Sequence, residues 1–393
     1  MDNSNSSELA ASNGSTFKMH KEVVREVGLQ LERNELEHVN IVENTNNNRS
    51  SLHFNNKQIT ENDTFEVFDN LLQEVEHFKE SGVRIKRSKN HVYIIRRVGK
   101  GVKITKTIPI YSDKPVNNYN VSYIIANKNA CNGDKVFILT MVLVQHKETK
   151  WRRILREYWG QEKVVNGKRI QHIFLLGKIR NETRQQETEK ESQIFGDIVQ
   201  GNFEDSYLNL TLKTLFGFQW IRDFCQNTTF VLKIDSDILV NYRSLVPHLV
   251  ESPTASFVEG HHTSAQPVRN KYRRWYTPEE LYPESTYAPY AAGPSYLMSS
   301  DVSTNILQTA PFVRFMPWED VYVGLILYKL KIEIKHSNSY MYSIENIGVM
   351  SRICQIRKHF TFLVERRISD ARIKSIVSAW RMKENFCSYL GLH

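Results

Sequence analysis

The chain has 393 residues, 40% of them apolar and 24% charged, with a formal net charge of +9. That length allows one large domain or two ordinary ones, and the apolar share is enough for a packed core. The positive balance suits anionic partners without naming one. It is spread along the chain with no block of six like charges, which argues against a nucleic-acid-binding tail.

Residues 1 to about 60 are polar, rich in Asn and Ser, and read as a disordered tether. Residues 61–114 read as a stem. Within it, Phe65–Lys79 spaces Phe65, Phe68, Leu71, Leu72, Val75 and Phe78 as an amphipathic helix, and residues 92–110 alternate like a hairpin turning around Gly99–Gly101. From 115 to 393 the pattern becomes that of a single α/β domain. Val136–Val144 and Ile170–Gly177 read as buried strands, and Lys150–Gly160 between them as a helix. Ser206–Cys225 reads as a second helix and Thr229–Asp235 as a third buried strand. Continuously apolar strands alternating with helices predict a mostly parallel central sheet flanked by helices. Phe362–Leu392 is basic and helical in pattern.

No apolar stretch has the length of a signal peptide or a membrane span, Val136–Val144 being of strand length. Eight N-x-S/T triplets, at Asn5, Asn13, Asn48, Asn62, Asn120, Asn181, Asn209 and Asn227, point to the secretory pathway. The four cysteines, Cys131, Cys225, Cys354 and Cys387, form no C-x-x-C pair and so no zinc ribbon. Two disulfides and four buried thiols both fit their spacing.

Three segments carry chemistry. Lys233–Val240 (KIDSDILV) sets Asp235 and Asp237 two apart at the carboxyl end of a buried strand, where open α/β sheets bind ligands. In an extended chain the two carboxylates would share a face and suit Mg²⁺ or Mn²⁺, although a D-x-D in a solvated turn looks the same. Trp318–Gly324 (WEDVYVG) places Glu319 and Asp320 before an apolar helix, fitting either acidic helix-dipole partners or a general base in an apolar pocket. Tyr287–Tyr296 mixes aromatics with small residues, and reads either as a packed loop or as a surface that stacks on a sugar.

In this order the segments resemble the beta-1,3-galactosyltransferase family, glycosyltransferase family 31, over roughly residues 115–360. RRILREYWG (Arg152–Gly160), FLLGK (Phe174–Lys178), FGDIVQGNFEDSYLNLTLKT (Phe195–Thr214), KIDSDILVN (Lys233–Asn241), YAPYAAGPSYLMS (Tyr287–Ser299) and EDVYVG (Glu319–Gly324) are each similar to a family motif. The resemblance implies a GT-A fold and an inverting transfer of galactose or an N-acetylhexosamine from a UDP-sugar to a glycoprotein or glycolipid acceptor, with no nucleic-acid partner. It also implies a role for each matching residue. Asp237 would ligate Mn²⁺, Asp235 would serve the metal or the ribose, and Asp320 would be the base, with Glu319 beside it. Arg152, Arg156 and Lys213 would meet nucleotide or phosphate charge, the two arginines fitting an exposed basic helix face equally well. His359 would be the third metal ligand, with His336 as its rival. Ala291 and Ser295 stand where the family usually has Cys and Gly, so one disulfide is expected to be absent or rewired. The family's Golgi anchor, a type II membrane helix, is not visible, and a sequence that begins late would account for that. A non-catalytic glycan-binding relative is the competing reading. A metal-dependent phosphohydrolase would need further clustered carboxylates.

Overall fold

The computed structural model describes residues 37–42, 51–54, 83–87, 91–98, 101–343, 359–366 and 368–381. The expected helix Phe65–Lys79 lies outside them, as do Cys354 and Cys387. The chain divides into two units, Met1–Ser112 with Gln266–Thr286, and Asp113–Ala265 with Tyr287–His393. The segment Gln266–Thr286, read in sequence as part of the 115–393 domain, is therefore grouped with the first unit.

The first unit is built on an antiparallel sheet of β1 (Glu37–Val42), β2 (Ser51–Phe54), β3 (Val83–Arg87), β4 (Val92–Val98) and β5 (Gly101–Thr107), in the order β2-β1-β5-β4-β3. Two of these strands fall inside residues 1–60, where a structureless tether is expected; in the first, EHVNIV, only His38–Ile41 alternates polar and apolar as a strand does. The hairpin expected around Gly99–Gly101 is present, with Val98 opposite Gly101. Val92, Tyr93, Ile94, Ile95 and Ile104 are buried. The excursion 266–286 is fastened by Arg96, which pairs with Glu279 and with Glu280 (2.9 Å), and by Arg269, whose guanidinium donates to the carbonyls of Thr277 and Glu284 at 2.7 Å each.

The second unit is the α/β domain. Its elements are β6 (Tyr123–Ile125), β7 (Val136–Leu143), α1 (Thr149–Tyr158), β8 (Val164–Val165), β9 (Lys168–Lys178), α2 (Glu182–Phe195), β10 (Ile198–Glu204), α3 (Leu210–Phe224), β11 (Thr228–Asp235), β12 (Ile238–Val240), α4 (Tyr242–Val250) and β13 (Val258–Thr263). After the excursion come β14 (Tyr290–Ser299), α5 (Ser300–Thr309), α6 (Glu319–Leu330), β15 (Lys335–His336), β16 (Tyr342–Ser343), β17 (Thr361–Leu363) and α7 (Asp370–Arg381).

The main sheet runs β15-β13-β14-β11-β7-β9-β10-β6. Its central strands β11, β7, β9 and β10 are parallel, as the apolar runs predict, and antiparallel strands flank them, so the sheet as a whole is mixed. All eight residues of β7 are buried, because a strand covered on both faces has no side for water. A small sheet, β12-β17-β16, closes off one end. It takes residues expected to be helical: Thr361–Leu363 pairs with β12, with Phe362 and Val364 buried, and the helix begins only at Asp370.

Tyr287–Tyr296 is largely strand rather than loop. Against β13, β14 pairs Ala291 with His262 and Tyr296 with Gly260, so five steps of one strand oppose two of the other. This bulge holds Gly293 and Pro294. Pairing with β11 starts only at Ser295, so the amide that Pro294 lacks leaves no ladder bond with β11 unmade.

Candidate active site

Three segments far apart in sequence meet at the carboxyl end of β11. Lys233 and Asp235 stand two apart on that strand and so face the same way, with the ammonium 2.9 Å from Asp235 Oδ1. Across the ladder Lys233 is opposite Tyr296 of β14 and lies 5.7 Å from its ring centre. The ammonium also donates to the Gly293 carbonyl in the bulge and sits 3.1 Å from Glu319 Oε2 at the start of α6. Glu319 accepts in turn from the Tyr296 hydroxyl. Lys233, Tyr296 and Glu319 are all buried. Burial works against the lysine's charge, but Asp235 and Glu319 outweigh it and hold the ammonium protonated well beyond its usual range.

Asp320 is the next residue of α6. It is half-buried, with Oδ2 accepting from the Gly293 amide (3.0 Å) and Oδ1 from the Val321 amide (2.9 Å). Trp318, the N-cap, makes no side-chain cap bond to the helix, and Asp320 itself accepts from the first-turn amide of Val321. Burial raises its carboxyl above the ordinary aspartate range, the amides opposing it. A Cβ on Gly293 would come 3.0 Å from Asp320 Oδ2, which is why the bulge carries glycine there. Gly324, one turn on, meets β14 still more closely: a Cβ there would lie 2.5 Å from that of Tyr290.

Asp237 does not continue the strand. It lies in the turn after Asp235, where its carbonyl accepts from the Val364 amide at 3.0 Å. The extended-chain argument for one shared face therefore holds for Lys233 and Asp235, not for Asp235 and Asp237. Nor is the turn a solvated one, for the Asp237 side chain is only 19% exposed. Its Oδ2 lies 3.4 Å from Arg366 Nε, and Arg366 also pairs with Glu148, the residue before α1. Burial and the nearby Asp235 push the Asp237 carboxyl up, with Arg366 drawing it back. His359, beside Phe362, has its carbonyl near the Asn241 amide nitrogen. Among the described residues no group of three or more His, Cys, Asp and Glu is arranged to hold a metal, so His359 is not gathered with the two aspartates.

Arg152, Arg156 and Lys213 are placed elsewhere. Arg152 forms a fork with Glu191 (2.6 and 2.8 Å), and Arg156 joins Glu191 (2.7 Å) to Asp197 (2.8 Å), where His172 also lands at 3.3 Å. Lys213 pairs with Asp205 (2.7 Å) and the Val144 carbonyl. All three side chains are buried or nearly so and are engaged by acidic partners, so they do not form an exposed basic face. They tie α1, α2 and α3 to the sheet. Sequence alone gives no role to Lys233, Glu148 or Arg366, and it marks Tyr296 and Gly293 only as part of the aromatic and small-residue segment Tyr287–Tyr296. A signal existed for Lys233, which stands two before Asp235 in an otherwise apolar strand, and for Arg366, a cation just beyond the short apolar run FTFLV.

Residues 150–338 match the model of the Galactosyltransferase family. Mouse and human beta-1,3-galactosyltransferase 1 are each 40% identical over 222 residues, covering 56% of this chain and 68% of theirs. Human beta-1,3-galactosyltransferase 5 is 35% identical over 211 residues, covering 53% and 68%. The chain belongs to the beta-1,3-galactosyltransferase family. Its class is that of a glycosyltransferase, and the α/β sheet described above is its GT-A core. The site segments Lys233–Asp237, Gly293–Tyr296 and Glu319–Asp320 all fall inside the matched region. Among solved structures, a galactosyltransferase, LgtC, bound to donor and acceptor analogues is 10% identical with a TM-score of 0.32, covering 64% of this chain and 99% of that one. That likeness is weak, and the assignment stands on the sequence relatives.

Proposed function

We propose that the protein is an inverting hexosyltransferase that moves galactose, or an N-acetylhexosamine, from a UDP-sugar onto a hydroxyl of a glycan acceptor in beta-1,3 linkage. The observation that carries this reading is Asp320: a half-buried carboxylate, raised toward neutrality and aimed by a backbone amide, within one linked cluster with Asp235. A base so placed takes the proton of the acceptor hydroxyl as that oxygen attacks C1 of the sugar and UDP departs. Lys233 and Glu319, paired with each other, with Glu319 also accepting from the Tyr296 hydroxyl, hold β11, β14 and α6 in register around it.

Asp235 and Asp237 fit a hard divalent cation such as Mn²⁺. They are oxygen donors close to one another, and burial together with the nearby Asp235 raises the Asp237 carboxyl, which supports this reading. Two protein carboxylates with the other positions left to phosphate and water is a usual arrangement for such ions. When bound, the ion would offset the charge of the leaving diphosphate. A Golgi lumenal location agrees with the disulfide Cys131–Cys225 and the exposed triplet residues Asn120 and Asn227. Among the described residues no helix is long and apolar enough to cross a membrane.

The test is UDP release by purified protein given UDP-galactose, UDP-N-acetylglucosamine or UDP-N-acetylgalactosamine, with and without a panel of terminal-hexose acceptors, in Mn²⁺ and in EDTA. Acceptor-dependent release from one donor, lost in EDTA, supports the reading. Binding of glycans with no release from any donor would make the protein a non-catalytic relative.

A further inference from the structure

Counting charges around the site exposes an imbalance. Among the described residues five carboxylates, Glu148, Asp235, Asp237, Glu319 and Asp320, are faced by two cations, Lys233 and Arg366. The two cations differ in kind. Lys233 is buried, and its ammonium reaches Asp235, Glu319 and the Gly293 carbonyl. Arg366 is 56% exposed, and it uses Nη1 on Glu148 and Nε near Asp237. Its second terminal nitrogen, Nη2, has no acceptor among the described residues. Glu148 fixes one edge of the guanidinium from a buried position, its other oxygen accepting from the Gln145 amide at 2.8 Å. The backbone holds the other end: Leu363 pairs with Ile238 and the Val364 amide binds the Asp237 carbonyl, so Arg366 is two residues from a direct link to the turn.

We propose that Arg366 is a binding residue for the diphosphate of a nucleoside-diphosphate donor, held in readiness by Glu148. This rests on the reading that the site takes a UDP-sugar. The geometry favours it over a purely structural ion pair for two reasons. First, the guanidinium is not sealed into its pair as that of Arg152 is with Glu191: Arg366 presents an unused donor to solvent beside the acid turn. A cluster with excess negative charge also repels a diphosphate, and a cation taken up by Asp237 competes with Arg366 for the same carboxylate. The released edge together with Nη2 is then a planar donor fork, the shape that matches phosphate oxygens.

Calorimetric titration of the full chain with UDP and with uridine, both in Mg²⁺, tests this without reference to turnover. Uridine keeps the base and ribose and lacks the phosphates. Arg366→Gln should weaken UDP at least about tenfold and leave uridine unchanged, which is the loss expected for a charge-assisted contact. Arg366→Lys keeps the charge without the fork, should fall in between, and serves as the reading if the Gln variant does not fold. Equal losses for UDP and uridine would show that Arg366 only supports the fold. Unaltered UDP affinity would remove it from the site while leaving the UDP-sugar reading intact. A wild-type protein that binds no UDP would overturn that reading and this proposal together.

Discussion

Asp320 and Glu319 are neighbours in sequence with opposite surroundings, and their substitutions should separate accordingly. Asp320→Asn keeps shape and removes basicity, so turnover should fall by roughly 10²-fold or more, the usual scale for a positioned base, with UDP affinity unchanged. Stability should move little. The amide loses one of two backbone bonds, but it also removes a carboxylate that burial disfavours. Turnover near the wild-type rate would assign Asp320 to capping alone. The pH profile gives a second reading. A base must be deprotonated, and burial raises Asp320, so kcat/KM should decline on the acid side at a pH above the ordinary aspartate value of about 4. An acid limb at or below that value would point to another group. At this scale the sequence singles out a residue where a motif names it, as with Asp235 and Asp320. For Lys233 it offers only an odd lysine in an apolar strand, whose meaning depends on Glu319 arriving from 86 positions away.

Elements are held to one another here by buried charge, and each linkage has a measurable signature. Lys233→Met leaves Glu319 buried without its cation, which should cost about 3–5 kcal/mol in urea unfolding. Adding Glu319→Gln to that variant should recover a good part of the loss, since no uncompensated charge remains. Strict additivity of the two changes would mean that they do not interact. Between β9, α1 and α2, burial pushes Asp197 up but Arg156 and His172 pull it further down, to about 2. A depressed carboxyl contributes stability above its unfolded value that is lost as pH falls through the folded one. Asp197→Asn should therefore cost about 2 kcal/mol at neutral pH, and the gap to wild type should close between about pH 4 and pH 2. A gap independent of pH would assign the loss to packing. The apolar runs made β7, β9, β11 and the helices α1 and α3 legible, but not the polar helix α2, ETRQQETEKESQIF, between β9 and β10. They could not reveal β14, where bulge residues interrupt the alternation, or β17, which is too short to show a period and forms only because β12 and β16 flank it.

On the scale of the whole molecule, Cys131 and Cys225 are bridged across 94 residues, joining the loop before β7 to the end of α3 just ahead of β11. β7 and β11 are adjacent and start level, Val136 beside Thr228, so the bridge ties the entrances of two parallel neighbours. Replacing both cysteines by serine should lower stability by about 2–5 kcal/mol and lower the urea midpoint, as should dithiothreitol on the wild type. No change with either would show the bridge to be dispensable. Spacing alone left this pairing open; it became visible only when the sheet order placed the two loops together. The sheet order also bears on how the chain emerges during synthesis. β7, β9, β10 and β11 are complete by residue 235, but the far side of β11 is covered only by β14, which begins at Tyr290, and Glu319 comes later still. Until then β11 is an open strand edge, TTFVLKID, carrying a buried-type lysine with half its counter-charge. Truncated products ending before β14 should therefore associate through that edge rather than persist as inactive monomers, and the late-arriving segment that completes the chemistry is also the one that makes the sheet safe.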